Sequence, residues 1–192
     1  MKQRLYKDAR RIMQPGDTIA FGGSGIVSKI IKTATNSPIS HVGTILQTSI
    51  PTLHGILVNQ VIESVGKKKG GAGVTINRMS DHIEDYNGSI WVLPLSTRSR
   101  EDFNQAMFFS FLLEQVGKEY DLPAAIGSAL DFIPDNKEDL DKLYCSELVS
   151  AAFEKVGIIG EINASEMTPK DVCSFDIYGE PYQLKGQPSD IF

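Results

Sequence analysis

Runs rich in Val, Ile and Thr crowd the first half of this chain, and no regular alternation with helices separates them. Extended runs are read at Thr18–Phe21, Ser40–Gln47, Val58–Val65, Val74–Asn77 and Ser89–Pro94, with further extended pieces at Cys173–Tyr178 and Tyr182–Leu184. β-Branched side chains suit a pleated, half-buried surface. A parallel sheet needs a crossover, usually helical, between successive strands. This chain has no such βαβ rhythm, so the expected class is α+β with a mostly antiparallel sheet.

Helical periodicity is confined to a few places. Residues 2–13 read as a short basic helix that stops before Pro15. From Ser24 to about Ala34, after the glycine-rich bend Gly22, Gly23 and Gly25, the residues Ile26, Val27, Ile30 and Ile31 share one face. Ser80–Asp85 is a helical turn. Arg100–Gly117 is the longest candidate, with apolar residues on more than one stripe, which predicts a well-buried helix. Tyr144–Val156 carries Leu148, Val149, Ala152, Phe153 and Val156 on one face, and Gly157 is suited to end it. Between them lies an apolar stretch, AAIGSALDFI, followed by an acidic loop.

Composition removes several function classes. A chain of 192 residues fits one domain, and 41% hydrophobic residues suffice for a core. Lys plus Arg is 19 against 24 for Asp plus Glu, a formal charge of −5. That argues against a nucleic-acid binder and against attachment to anionic lipid by charge alone. The two cysteines, Cys145 and Cys173, cannot complete a four-thiolate zinc site or a disulfide framework, and His41, His54 and His82 lack HExxH-type spacing. No metal or cofactor is expected. The N-terminus has no signal-peptide apolar region, and no apolar run reaches the ~18 residues of a membrane span. The expectation is a cytoplasmic protein with no transmembrane span.

Three residues could carry chemistry. Cys145 stands at a helix start, where unpaired N–H groups and the macrodipole favour a thiolate; it equally suits a small apolar filler. His41 lies on a strand face with Gly43 and Ile45, with open space beside the glycine; a core histidine bonded to a carbonyl reads the same way. Glu63 sits between Val61 and Val65, where a carboxylate needs a partner unless that face is exposed. Thiolate, base and orienting carboxylate together form a nucleophilic triad, which geometry and not chain order defines. GGSGIVSK matches neither GxxxxGK[ST] nor GxSxG. Lys67, Lys68 and Lys69 read as a solvated turn, and His54 and His82 as surface residues.

With those residues in place, the chain resembles the circularly permuted NlpC-type papain-like cysteine hydrolases, the YiiX/YaeF-like group distantly similar to lecithin:retinol acyltransferase-like proteins. The resemblance rests on PGDTIAF, SPISHVGTI with His41, VIES with Glu63, GKEYD, YCSELV with Cys145, and TPKDV, in that order over about residues 15–175. It implies one permuted papain-like domain over 1–192, with a small antiparallel sheet packed on the Cys-bearing helix. It implies Cys145 as nucleophile, His41 as general base and Glu63 as its orienting group, with Tyr144 as a substrate or oxyanion contact. The 122–143 stretch would serve as an apolar lid. A cell-wall substrate would require release by lysis or a phage-type route.

The leading reading is a cysteine hydrolase of amidase or peptidase type acting through a thioester acyl-enzyme on a small peptide, amide or acyl-lipid substrate. The same acyl-enzyme could serve an acyltransferase or a lipid ester or amide hydrolase. From another class, the fold could persist as a ligand-binding module without turnover. Oligomeric state is not legible.

Overall fold

The computed structural model describes residues 1–51, 53, 57–68, 71–120, 123, 143–189 and 191. Its centre is a seven-stranded sheet built from β1 (Lys2–Gln3), β2 (Thr18–Gly23), β3 (His41–Pro51), β4 (Leu57–Lys68), β5 (Gly71–Arg78), β6 (Gly88–Leu93) and β7 (Tyr182–Lys185). The spatial order is β1-β7-β6-β2-β3-β4-β5. Only the short β1–β7 pair is parallel, and the other pairs are antiparallel. The helices are α1 (Tyr6–Ala9), α2 (Ile26–Ala34), α3 (Met79–Asp85), α4 (Thr97–Asp102), α5 (Gln105–Gln115), α6 (Cys145–Lys155) and α7 (Pro169–Cys173). The class is α+β, as expected, with a sheet larger and more mixed than a small antiparallel one.

Strand alternation divides the core into two layers. Ile19, Phe21, Ile45, Val61, Ile90 and Val92 point to one side, where Ala9, Met13 and Met79 close over them. Ala20, Val42, Ile62, Trp91 and Leu93 point to the other, against Phe108 and Leu112 of α5, Leu148, Val149, Ala152 and Phe153 of α6, and Val172 of α7. Helix α6 packs on β3 and β4 and is buried along most of its length. Gly157 at φ 76° ends it, with its N–H bonded to Glu154 O and that of Ile158 to Phe153 O.

Several local expectations change. Residues 2–13 do not form one helix: Lys2–Gln3 pairs with β7, which leaves only a four-residue α1. Helix α2 forms with its shared apolar stripe, of which Ile31 is buried while Ile26 is 80% exposed and Val27 and Ile30 are also exposed. The Arg100–Gly117 helix breaks at Phe103–Asn104. Ser96 caps α4, and Asn104 Oδ1 accepts from Met107 N at 3.0 Å to start α5, so two cap residues set two helices. Only one stripe of α5 is buried, and Met107, Leu113 and Val116 face outward. Cys173 closes α7 and is not extended. In α7 Thr168 and Asp171 form a reciprocal capping box with Pro169 at the first helical position. His54, Lys69, AAIGSALDFI and all but Pro123 and Leu143 of the 122–143 stretch lie outside the described residues.

Candidate active site

Register brings the carboxylate to the imidazole. Thr44 pairs with Ile62 and Ile45 with Val61, so Gly43 stands across from Glu63 and His41 lies one diagonal step away. His41 Nε2 is 2.5 Å from Glu63 Oε2. On the other flank Glu63 pairs with Thr75 and Val61 with Asn77, which sets Asn77 on the opposite diagonal. Asn77 Nδ2 donates to Glu63 Oε1 at 2.9 Å. The Glu63 side chain is 1% exposed, so of the two alternatives the sequence left open it is the buried carboxylate with partners that holds.

Cys145 is the first residue of α6, in the layer of Leu148 and Val149. His41 opens β3, at the rim of the sheet, and there the two side chains hydrogen-bond. With Nε2 engaged by Glu63, the ring nitrogen left for the thiol is Nδ1. The sulfur also meets the backbone N–H groups of Val42 and Ser146. Burial alone would raise the Cys145 pKa; the His41 charge and hydrogen bond outweigh it, and with the two N–H donors they bring it below the ordinary thiol value. Burial alone would lower the His41 pKa, but Cys145 and then Glu63 raise it to about 9. Glu63 is held well below the carboxylate range: burial opposes this, and the bonds from His41 and His82 prevail. These directions describe a thiolate–imidazolium pair backed by a carboxylate.

Two site residues were not visible as such in the sequence. His82, expected at the surface, has a side chain only 13% exposed, and its Nε2 lies 2.8 Å from Glu63 Oε1. The ring meets Phe21 edge-on with centroids 5.1 Å apart, while Phe21 also contacts the rings of His41 at 5.3 Å and Tyr86 at 5.0 Å. Tyr86 bonds to Ser40, and its phenol pKa is pushed well up by burial and by the charge of Glu63. A helical stripe of Met79, His82, Ile83 and Tyr86, at spacing i, i+3, i+4 and i+7, was the signal available for both.

Tyr144, expected as a substrate or oxyanion contact, has its hydroxyl engaged within the fold. It is the residue before α6, 1% exposed, packed with Tyr120, and its hydroxyl donates to Ser165 O. Its phenol is thus committed to the packing at the head of the helix. Cys173 is fully buried in the same core cluster as Cys145. Burial, then the charges of Cys145 and Asp171, push its pKa well above the thiol range.

No family model matches the chain, and no curated protein matches it. Among solved structures it resembles the crystal structure of the metalloprotein yiiX from Escherichia coli O157:H7 (DUF1105), at 22% identity and a TM-score of 0.52. The match covers 77% of this chain and 68% of that one. The likeness is one of fold. Among the described residues no group of three or more His, Cys, Asp or Glu side chains is arranged to hold a metal ion. The obvious donor, Glu63, already meets His41 through one oxygen and His82 and Asn77 through the other. As placed, these described side chains are spent on one another and do not form a metal centre. No helix among the described residues is long and apolar enough to cross a membrane.

Proposed function

We propose that this chain is a papain-like cysteine hydrolase of amidase or peptidase type. The observation that carries the reading is the hydrogen-bonded Cys145–His41 pair at the head of α6, with Glu63 buried behind the imidazole. In this reading the Cys145 thiolate attacks a substrate carbonyl carbon and a C–S bond forms. Helix geometry leaves the first N–H groups of α6 without intrahelical partners, so the Cys145 N–H is a donor for the resulting oxyanion. The His41 imidazolium gives its proton to the leaving nitrogen as the C–N bond breaks. Neutral His41 then takes a proton from water, whose oxygen attacks the thioester and releases acid and thiolate. Glu63 keeps the ring oriented through both steps.

The test is acylation by a panel of p-nitrophenyl esters and peptide anilides, followed by intact-mass measurement. One acyl adduct on Cys145, absent in Cys145→Ala, is the expected result. His41→Ala should lose nearly as much turnover as Cys145→Ala, since members of a catalytic unit are not additive. Glu63→Gln should lose less. An unchanged rate in Cys145→Ala on a substrate cleaved by the wild type would overturn the reading. Release of the acyl group to an added amine in preference to water would instead assign an acyltransferase.

A further inference from the structure

Glu63 is a bridge between two imidazoles. One oxygen serves His41; the other is met by Asn77 and, from the α3 side, by His82. His82 Nε2 is buried, has no other hydrogen-bond partner among the described residues, and lies at ion-pair distance from Oε1 without its ring N–H being aligned on it. A buried polar nitrogen without an aligned partner is costly unless the neighbouring group uses it.

We propose that His82 is a positioning residue, which holds Glu63 Oε1 so that Oε2 stays on His41. The inference rests on the cysteine-hydrolase reading of the same site. The geometry behind it is specific. Glu63 is fixed by its backbone in β4, but its carboxylate has a torsion free to turn. Asn77 donates from the adjacent β5, as a diagonal neighbour on the same face of the sheet. His82 approaches from the helix layer, and Phe21 fixes its ring through an edge contact. Contacts on Oε1 from two directions restrict that torsion where one would not. Of the other groups near this contact, Tyr86 of α3 bonds to Ser40, and Asp81 of α3 interacts with Tyr6 of α1. From β7, Lys185 Nζ is spent on the carbonyls of Ile83 and Glu84 at 2.6 and 3.3 Å. None of these supplies Oε1 with a substitute for His82.

The experiment follows iodoacetamide alkylation of Cys145 in the full chain against pH, since that readout needs no known substrate. His82→Phe keeps a ring against Phe21 and removes the polar contact. His82→Gln keeps a donor. With Glu63 loosened, His41 stabilises the thiolate less, so on the acid limb of the wild-type alkylation profile the rate should fall about tenfold in His82→Phe, the equivalent of one pKa unit. His82→Gln should recover most of that loss. In a Glu63→Gln background, His82→Phe should change the rate by less than about twofold, because coupled residues are not additive. A residue that only packs would shift thermal stability without moving this pH profile. Wild-type rates in His82→Phe, or equal loss in both variants, overturn the inference and leave the hydrolase reading standing. A wild-type Cys145 that reacts like a free thiol overturns both. Independently of any variant, nitrogen NMR should find the hydrogen of the His82 ring on Nε2, the nitrogen that faces Glu63 Oε1; a bare Nε2 overturns the inference.

Discussion

Gly43 faces Glu63 across the β3–β4 pair so closely that a Cβ on it would lie 3.1 Å from the Glu63 Cβ. The same added atom would meet Val61 Cγ1 at 2.9 Å and Ile62 O at 3.0 Å. The sequence places an open space beside His41; in the fold, the neighbouring strand closes on it and delivers the carboxylate. Gly43→Ala should therefore cost about 1–3 kcal/mol through overpacking. It should also separate Glu63 from His41. Urea denaturation reads the first effect, and slower alkylation of Cys145 at pH 6 reads the second. A variant as stable and as reactive as the wild type would show that the close approach is not required.

The proposed hydrolysis should have a bell-shaped pH profile. Cys145 must be ionised, and its pKa is lowered by the His41 charge, so the rising limb should lie below the ordinary thiol value of about 8.5. His41 must be protonated to release the leaving group, and its pKa is raised to about 9, so activity should fall as pH passes through about 9. Two interacting groups titrate as a pair, and both limbs belong to the pair. The sign for stability follows from the raised imidazole. The contribution of His41 is complete below its ordinary value of 6.5 and disappears as pH rises through 9. Measured kcat/KM between pH 5 and 11 checks the profile; a falling limb near 6.5 contradicts it.

The two thiols should differ sharply. Cys145 has a lowered pKa and Cys173 a raised one, and Cys173 is fully buried at the end of α7. In the native chain at pH 7 iodoacetamide should modify Cys145 alone, and Cys173 only in denaturant. Peptide mapping by mass spectrometry distinguishes them. Equal labelling at both positions would contradict the assigned thiolate.

The strands were legible because their Val, Ile and Thr content and their Gly and Pro boundaries survive in any context. His41, Glu63 and Cys145 were legible as candidates because each is out of character locally: a histidine beside a strand glycine, a carboxylate in VIESV, a cysteine at a helix start. Their meeting was an expectation from chemistry, and register and the docking of α6 bring it about. His82 was misread because α3 is only seven residues long and MSDHIED looks polar until Met79, His82 and Ile83 are placed on one stripe. The direction of the apolar face of α2 was not legible for a different reason. Periodicity defines which residues share a face, not which way the face points, and α2 is held to the body by Ile31 and by Lys32 Nζ on Gly23 O at 2.7 Å. Tyr144 illustrates the same limit: its place next to Cys145 does not fix what its hydroxyl meets, which is Ser165 O.

Far from the site, Asp17 of the PGD turn is 1% exposed and ties three segments together. Its carboxylate accepts from Gln14 N at 2.8 Å and Leu95 N at 3.1 Å, and from the Arg100 guanidinium of α4. Arg100 also donates to Pro15 O at 3.1 Å. Burial pushes the Asp17 pKa up to about 6 even with Arg100 and the two N–H donors opposing it. A folded pKa above the unfolded 3.8 means that Asp17 favours folding most at low pH, and that this contribution fades as pH rises through 6. Arg100→Met removes the opposing charge, so the folded pKa climbs further and the loss extends to higher pH. At pH 5 the variant can keep Asp17 protonated, and its deficit should be small. At pH 8 it must either bury an unpaired carboxylate or take up a proton from dilute solution, and the deficit should reach about 3 kcal/mol, the scale of a broken buried pair. Denaturation curves at both pH values test this: a deficit that shrinks from pH 5 to pH 8 would mean that Arg100 does not act through the Asp17 charge.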